Sequence, residues 1–126
     1  MPHILLIEDN DDFRQVLQIT LELLGHEVSS ARDGKDALRM FASRPPDLII
    51  TDLVMPGKEG LETIQELKNL QPDVKIIAMS GGGRISPNHF LNVATILGAN
   101  RTLAKPFTNE ELVEAIQSVL AGQPRS

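Results

Sequence analysis

The chain has no cysteine, no tryptophan and no tyrosine, and its only aromatic side chains are four phenylalanines among 126 residues. Without cysteine there is no disulfide and no thiolate chemistry, which favours a cytoplasmic home. Without tryptophan there is no indole fluorescence to report ligand binding. Basic residues are also short: 12 Lys and Arg face 17 Asp and Glu, for a net charge of −5 and a pI near 5.1. That balance argues against direct nucleic-acid binding, which needs a basic patch. No apolar run reaches the roughly 18 residues of a membrane span, and no signal-peptide pattern opens the chain. Internal repeats and low-complexity tracts are absent as well.

What remains is an ordinary globular composition, 41% apolar and 23% charged, long enough to bury one substantial core. We expect one domain over residues 1–121 and a tail over 122–126, a frayed end or the start of a linker. "HILLIED" reads as a buried strand at about 3–7. After Asn10, a plausible N-cap, Phe13, Val16, Leu17, Leu21 and Leu24 recur at helical spacing until Gly25. "HEVSSA" is a weaker strand, and Asp33-Gly34 opens a helix bearing Ala37, Leu38 and Phe41 before Pro45-Pro46. "DLIIT" is the third strand, followed by a helix from about Glu59 that carries Leu61, Ile64 and Leu67 and ends before Pro72. "VKIIAM" is the fourth strand, and a helix from Pro87 carries Phe90, Val93, Ala94 and Leu97. "RTLA" is a short fifth strand; the last helix begins at the N-cap Thr108 with Leu112, Val113, Ile116, Val119 and Leu120 inward.

Five strands alternating with five helices predict an α/β fold with a parallel sheet covered on both faces. Strands 1, 3 and 4 are the most apolar and belong at the centre, which suits the doubly wound, flavodoxin-like order 2-1-3-4-5. Sites in such sheets lie beyond the carboxyl ends of the strands, where the order reverses. The polar residues at those ends are Glu8 and Asp9, then Asp52, Ser80 and Lys105. A charge such as Asp52 at the end of a buried strand needs a partner, a metal or a reaction. Three carboxylates in one crevice need compensation, which a hard cation such as Mg2+ supplies while keeping a position for a phosphate oxygen. Asp52 then reads as a carboxylate nucleophile toward a phosphoryl group, with Lys105 and the Ser80 hydroxyl on its oxygens. "SGGG" is not a Walker loop, because the lysine and the spacing are missing.

In "ILLIEDN", "PDLIITDLVMPGKEG", "IIAMSG" and "LAKPF", taken in this order, the chain resembles the receiver domains of two-component response regulators, of the single-domain, chemotaxis-regulator-like kind. The resemblance implies that Glu8 and Asp9 are the acidic metal pair and that Asp52 is the phosphoacceptor. It further implies that the Val54 backbone carbonyl binds Mg2+, that Ser80 is the switch hydroxyl and that Lys105 senses the phosphate. A cis Lys105-Pro106 bond is expected. By the same resemblance the phosphoryl donor is a sensor histidine kinase or a histidine phosphotransfer protein, and an unnamed output protein reads the result. No membrane partner is implied.

Two departures from the family pattern matter. Thr102 stands where the family usually carries the Tyr or Phe that follows the switch hydroxyl. Val54 and Gly82 stand two residues after Asp52 and Ser80, where polar side chains would otherwise position a hydrolytic water, so a long-lived aspartyl phosphate is expected. The histidines, His3, His26 and His89, are scattered and suit surface or strand-end positions. Three other readings compete. The chain could be the receiver part of a longer transcription factor or enzyme. An aspartyl-nucleophile phosphatase-like enzyme would want a general acid two residues after Asp52, which Val54 cannot be. A flavin carrier would meet repulsion between its phosphate and the acidic crevice. The protein is therefore expected not to be an enzyme.

Overall fold

A computed structural model describes residues 2–53, 59–80 and 98–122. Its elements in chain order are β1 (His3–Ile7), α1 (Asp11–Leu23), β2 (Glu27–Ala31), α2 (Gly34–Ser43), β3 (Leu48–Asp52), α3 (Glu59–Leu70), β4 (Ile76–Ser80), β5 (Arg101–Ala104) and α4 (Asn109–Leu120). All five strands pair in parallel in the order β2-β1-β3-β4-β5, as the alternating pattern predicts. The predicted helix from Pro87, the "SGGGRISP" loop beyond Ser80 and the end of the tail lie outside the described residues.

The strand sequences explain the layering. Along β1, β3 and β4 apolar side chains occupy both faces, so alternate residues enter two separate cores. Leu5, Ile7, Ile49, Ile76 and Ala78 pack with Ala37 and Phe41 of α2 and with Ile64 and Leu67 of α3. Ile4, Leu6, Leu48, Ile50, Ile77 and Met79 pack with Leu17 and Leu21 of α1 and with Leu112, Ala115, Ile116 and Val119 of α4. Each fully buried Leu or Ile contributes about 1.5–3 kcal/mol relative to exposure, so the central strands anchor the fold.

The helices start where the sequence offers an oxygen to the free amides. The Asn10 side chain accepts from Phe13 N, and Asp33 accepts from Asp36 N at 2.8 Å. Thr108 and Glu111 close a reciprocal capping box. After α1, Gly25 takes φ +96°, a left-handed conformation that side chains resist, and its N–H bonds the Glu22 carbonyl.

Several core assignments need correction. Val16 and Leu24, which share the helical spacing of Leu17 and Leu21, are 63% and 43% exposed. The apolar residues of α1 spread over a broad face; Leu17 and Leu21, one turn apart, are buried against the sheet, with Phe13 partly buried beside them. In α4, Val113 is only partly covered and the buried set includes Ala115 instead. The third strand runs one residue further than the apolar pattern suggested, so Asp52 is itself a strand residue. His3 begins β1 as a strand-end residue but is buried, with Nε2 2.8 Å from Ser29 Oγ.

Candidate functional site: an acidic crevice with one lysine

Strand register assembles the site. Ile7 pairs with Thr51, so the chain leaving β1 puts Glu8 beside Asp52. Asp52 pairs with Met79, and Ser80 pairs with Ala104, which delivers Lys105 to the same edge. The Lys105 amide also bonds the Ser80 carbonyl at 2.7 Å, and the Lys105-Pro106 bond is cis, as expected.

The structure brings Glu8, Asp9, Asp52 and Lys105 together. One carboxylate oxygen from each acid lies within 4.8 Å of the others. Glu8 and Asp52 are almost fully buried, at 1% and 4% exposure, whereas Asp9 is exposed. Lys105 Nζ donates to Glu8 Oε1 at 2.8 Å and lies 3.6 Å from Asp52 Oδ2. Glu8 Oε2 accepts from the Asn10 amide at 3.1 Å, and Arg14 Nη1 donates to the Glu8 carbonyl at 2.9 Å. Desolvation, and then its hydrogen bond and repulsion with Glu8, raise the Asp9 carboxyl above the usual aspartate range. Ser80 is buried at the end of β4, on the adjacent strand. Val54 lies outside the described residues.

The donor set suits a hard divalent cation. All three candidate ligands are carboxylate oxygens, and among the described residues Lys105 lies against Glu8 and Asp52. The three carboxylate oxygens already lie within 4.8 Å of one another, so Glu8, Asp9 and Asp52 would hold such an ion once drawn closer together.

Sequence reasoning missed Phe13 here, since its spacing marks it as one more apolar residue of α1. It packs edge to face with Phe107, with centroids 6.3 Å apart and planes at 85°. Lys105 Nζ lies 4.2 Å from the centre of the Phe13 ring. The only hint in the sequence was a phenylalanine two residues beyond the lysine, in "KPF".

A doubly wound parallel sheet with an acid-lined crevice at its β1/β3 switch point defines a class of phosphate-handling α/β proteins. The family model for the response regulator receiver domain matches residues 4–117, and the chain belongs to that family. It is 37% identical over 120 residues to "Probable transcriptional regulator ycf27" of Cyanidium caldarium, covering 94% of this chain and 46% of the relative. It is 38% identical over 119 residues to "DNA-binding transcriptional regulator NtrC" of Azospirillum brasilense, covering 93% of this chain and 24% of the relative. The chain thus spans about half, or less, of the length of these curated relatives. Among solved structures, a receiver domain protein from Clostridium thermocellum superposes with TM-score 0.88 at 30% identity, covering 97% of this chain and 96% of the other. Chemotaxis protein CheY4 of Vibrio cholerae does so with TM-score 0.84 at 30% identity, covering 94% and 98%. The curated relatives are named as regulators rather than enzymes. Among the described residues, no helix is long and apolar enough to cross a membrane.

Proposed function

We propose that this receiver domain takes a phosphoryl group on Asp52 from the phosphohistidine of a sensor histidine kinase or a histidine phosphotransfer protein. The observation that carries the reading is the convergence of Glu8, Asp9 and Asp52 on Lys105 in one crevice. An Asp52 carboxylate oxygen attacks phosphorus, an O–P bond forms, and the P–N bond to the donor imidazole breaks. Lys105, 3.6 Å from Asp52 Oδ2, would neutralise a phosphoryl oxygen, and the Ser80 hydroxyl would donate to another. Glu8, Asp9 and Asp52 would hold Mg2+, with the Val54 backbone carbonyl as a further ligand by family resemblance. The ion's contribution is to screen the incoming charge and to align the phosphoryl group.

Two charge-assisted hydrogen bonds, from Lys105 and Ser80, supply about 3–6 kcal/mol. Inverting a 1:99 population takes about 5.5 kcal/mol. The switch therefore works when nearly all of that energy distinguishes the two states. The output is a change in partner binding by a cytoplasmic regulator. A second reading, favoured by the greater length of the curated relatives, makes the domain the receiver of a longer transcription factor.

Mass spectrometry after incubation with acetyl phosphate or a kinase tests the assignment. Asp52→Asn is expected to lose the label while keeping its circular dichroism, and a fully labelled variant would refute the phosphoacceptor role. In Mg2+ calorimetry Asp9→Ala should weaken binding, and unchanged affinity would remove Asp9 from the metal site.

A further inference from the structure

Lys105 is the one cation on the acids of the crevice among the described residues, and its side chain remains 23% exposed. Glu8 fixes one side of its ammonium at 2.8 Å, and Asp52 lies at 3.6 Å. A long, flexible lysine held only by acids on one side would swing toward solvent. Here another side is closed by the Phe13 ring, whose centre lies 4.2 Å from Nζ. The negative face of an aromatic ring attracts an ammonium within about 6 Å.

The ring is itself fixed. The Phe13 amide donates to Asn10 Oδ1 at 2.8 Å, which ties it to the start of α1 just beyond Glu8 and Asp9. The Phe107 ring meets it edge to face, from the segment that carries Lys105. The loop bearing the acids and the loop bearing the lysine are thereby joined by one aromatic contact, and the ammonium sits where they meet.

We propose that Phe13 is a positioning residue for Lys105. Its ring face holds the ammonium between Glu8 and Asp52, poised for an incoming phosphoryl oxygen, and Phe107 steadies the ring. The geometry of the resting lysine stands by itself, whereas its effect on phosphoryl transfer rests on the function proposed above.

Two measurements separate these parts. In the unphosphorylated protein, the Lys105 ε-methylene protons should be shifted upfield by the Phe13 ring current. Phe13→Leu, which keeps apolar bulk but has no π face, should return them to ordinary lysine positions. Wild-type protons already at those positions would overturn the placement, whatever the protein's function. The rate of Asp52 labelling by acetyl phosphate in Mg2+ buffer should fall about three- to tenfold in Phe13→Leu. Phe13→Trp, with the stronger π face, should recover most of that loss. If the effect passes through Lys105, Phe13→Leu should change the rate little in a Lys105→Met background. An unchanged rate in Phe13→Leu, or the full slowing persisting without the lysine, would refute the positioning role. Absent labelling of the wild type with an upfield-shifted lysine would instead refute the phosphoacceptor reading and leave the placement of Lys105 intact.

Discussion

Replacing Asp52 by Asn removes one of three carboxylates whose oxygens lie within 4.8 Å of one another, while keeping the shape of the side chain. With an effective dielectric constant near 20, two like unit charges 4.8 Å apart repel by about 3.5 kcal/mol. Asp52 faces two such partners, Glu8 and Asp9. Against this stands its attraction to Lys105 at 3.6 Å, about 4.6 kcal/mol on the same scale. Among these four groups repulsion exceeds attraction by roughly 2 kcal/mol, and the exposure of Asp9 to screening reduces the surplus. Asp52→Asn should therefore stabilise the metal-free protein by about 1–2 kcal/mol, or roughly 3–8 °C in Tm for a domain of this size. Added Mg2+ should shrink or reverse the difference, because it binds the folded wild type more tightly and stabilises it by mass action. Thermal melts of both proteins in chelator and across a Mg2+ series provide the assay. A variant less stable than wild type in chelator would show that the lysine attraction outweighs the crowding of acids. The reasoning would then be wrong. A gain would mean that the domain carries an electrostatic cost at this site, as is common where function needs strained charges.

Three further outcomes follow from particular contacts. Gly34 and Thr63 are both buried, and a Cβ built on Gly34 would lie 2.1 Å from Thr63 Oγ1. Gly34→Ala should cost about 1–3 kcal/mol in urea melts and be largely rescued by Thr63→Ala, and an innocuous single variant would contradict the packing. Burial first, then the nearby Arg44, holds the His3 imidazole below the usual histidine range, with Glu27 and Asp47 opposing. His3 is thus neutral in the folded state at pH values where the unfolded chain takes up a proton. Its contribution is complete above about pH 6.5 and is lost as the pH falls toward the folded pKa, at up to about 1.4 kcal/mol per pH unit. His26, lowered by burial in the same direction, should leave part of this slope in His3→Gln, and identical slopes for the two proteins would refute the assignment. Finally, phosphorylated Val54→Asn with Gly82→Glu should decay at least several-fold faster than wild type in Mg2+ buffer. Equal decay would mean that water access is set elsewhere.

Much of the architecture is a local property of the chain. The apolar runs of β1, β3 and β4, the capping oxygens of Asn10, Asp33 and Thr108, and the prolines at 45, 46 and 72 each act over a few residues. They therefore determine the elements and their alternation, and the alternation implies the parallel order. The polar residues at the strand ends could be named for the same reason, because in a parallel sheet every strand ends on one side. Family resemblance then supplied roles for Glu8, Asp9, Asp52, Ser80 and Lys105.

Tertiary structure decided what depends on residues far apart in the chain. Which apolar residues of α1 are buried was ambiguous, because its apolar face is broader than the strip that the sheet covers, and docking buries Leu17 and Leu21 while exposing Val16. His3 became a buried partner of Ser29 only because β1 and β2 lie side by side. Lys105 meets Glu8 across 97 positions of sequence, a distance that only the strand register closes. Phe13 shows the limit most plainly. Helical spacing marks it as one more apolar residue, and only the approach of the segment after β5, with Lys105 and Phe107, to the start of α1 turns its ring into a partner for the lysine. Spacing along one element fixes which residues share a face; what that face meets depends on how distant elements pack.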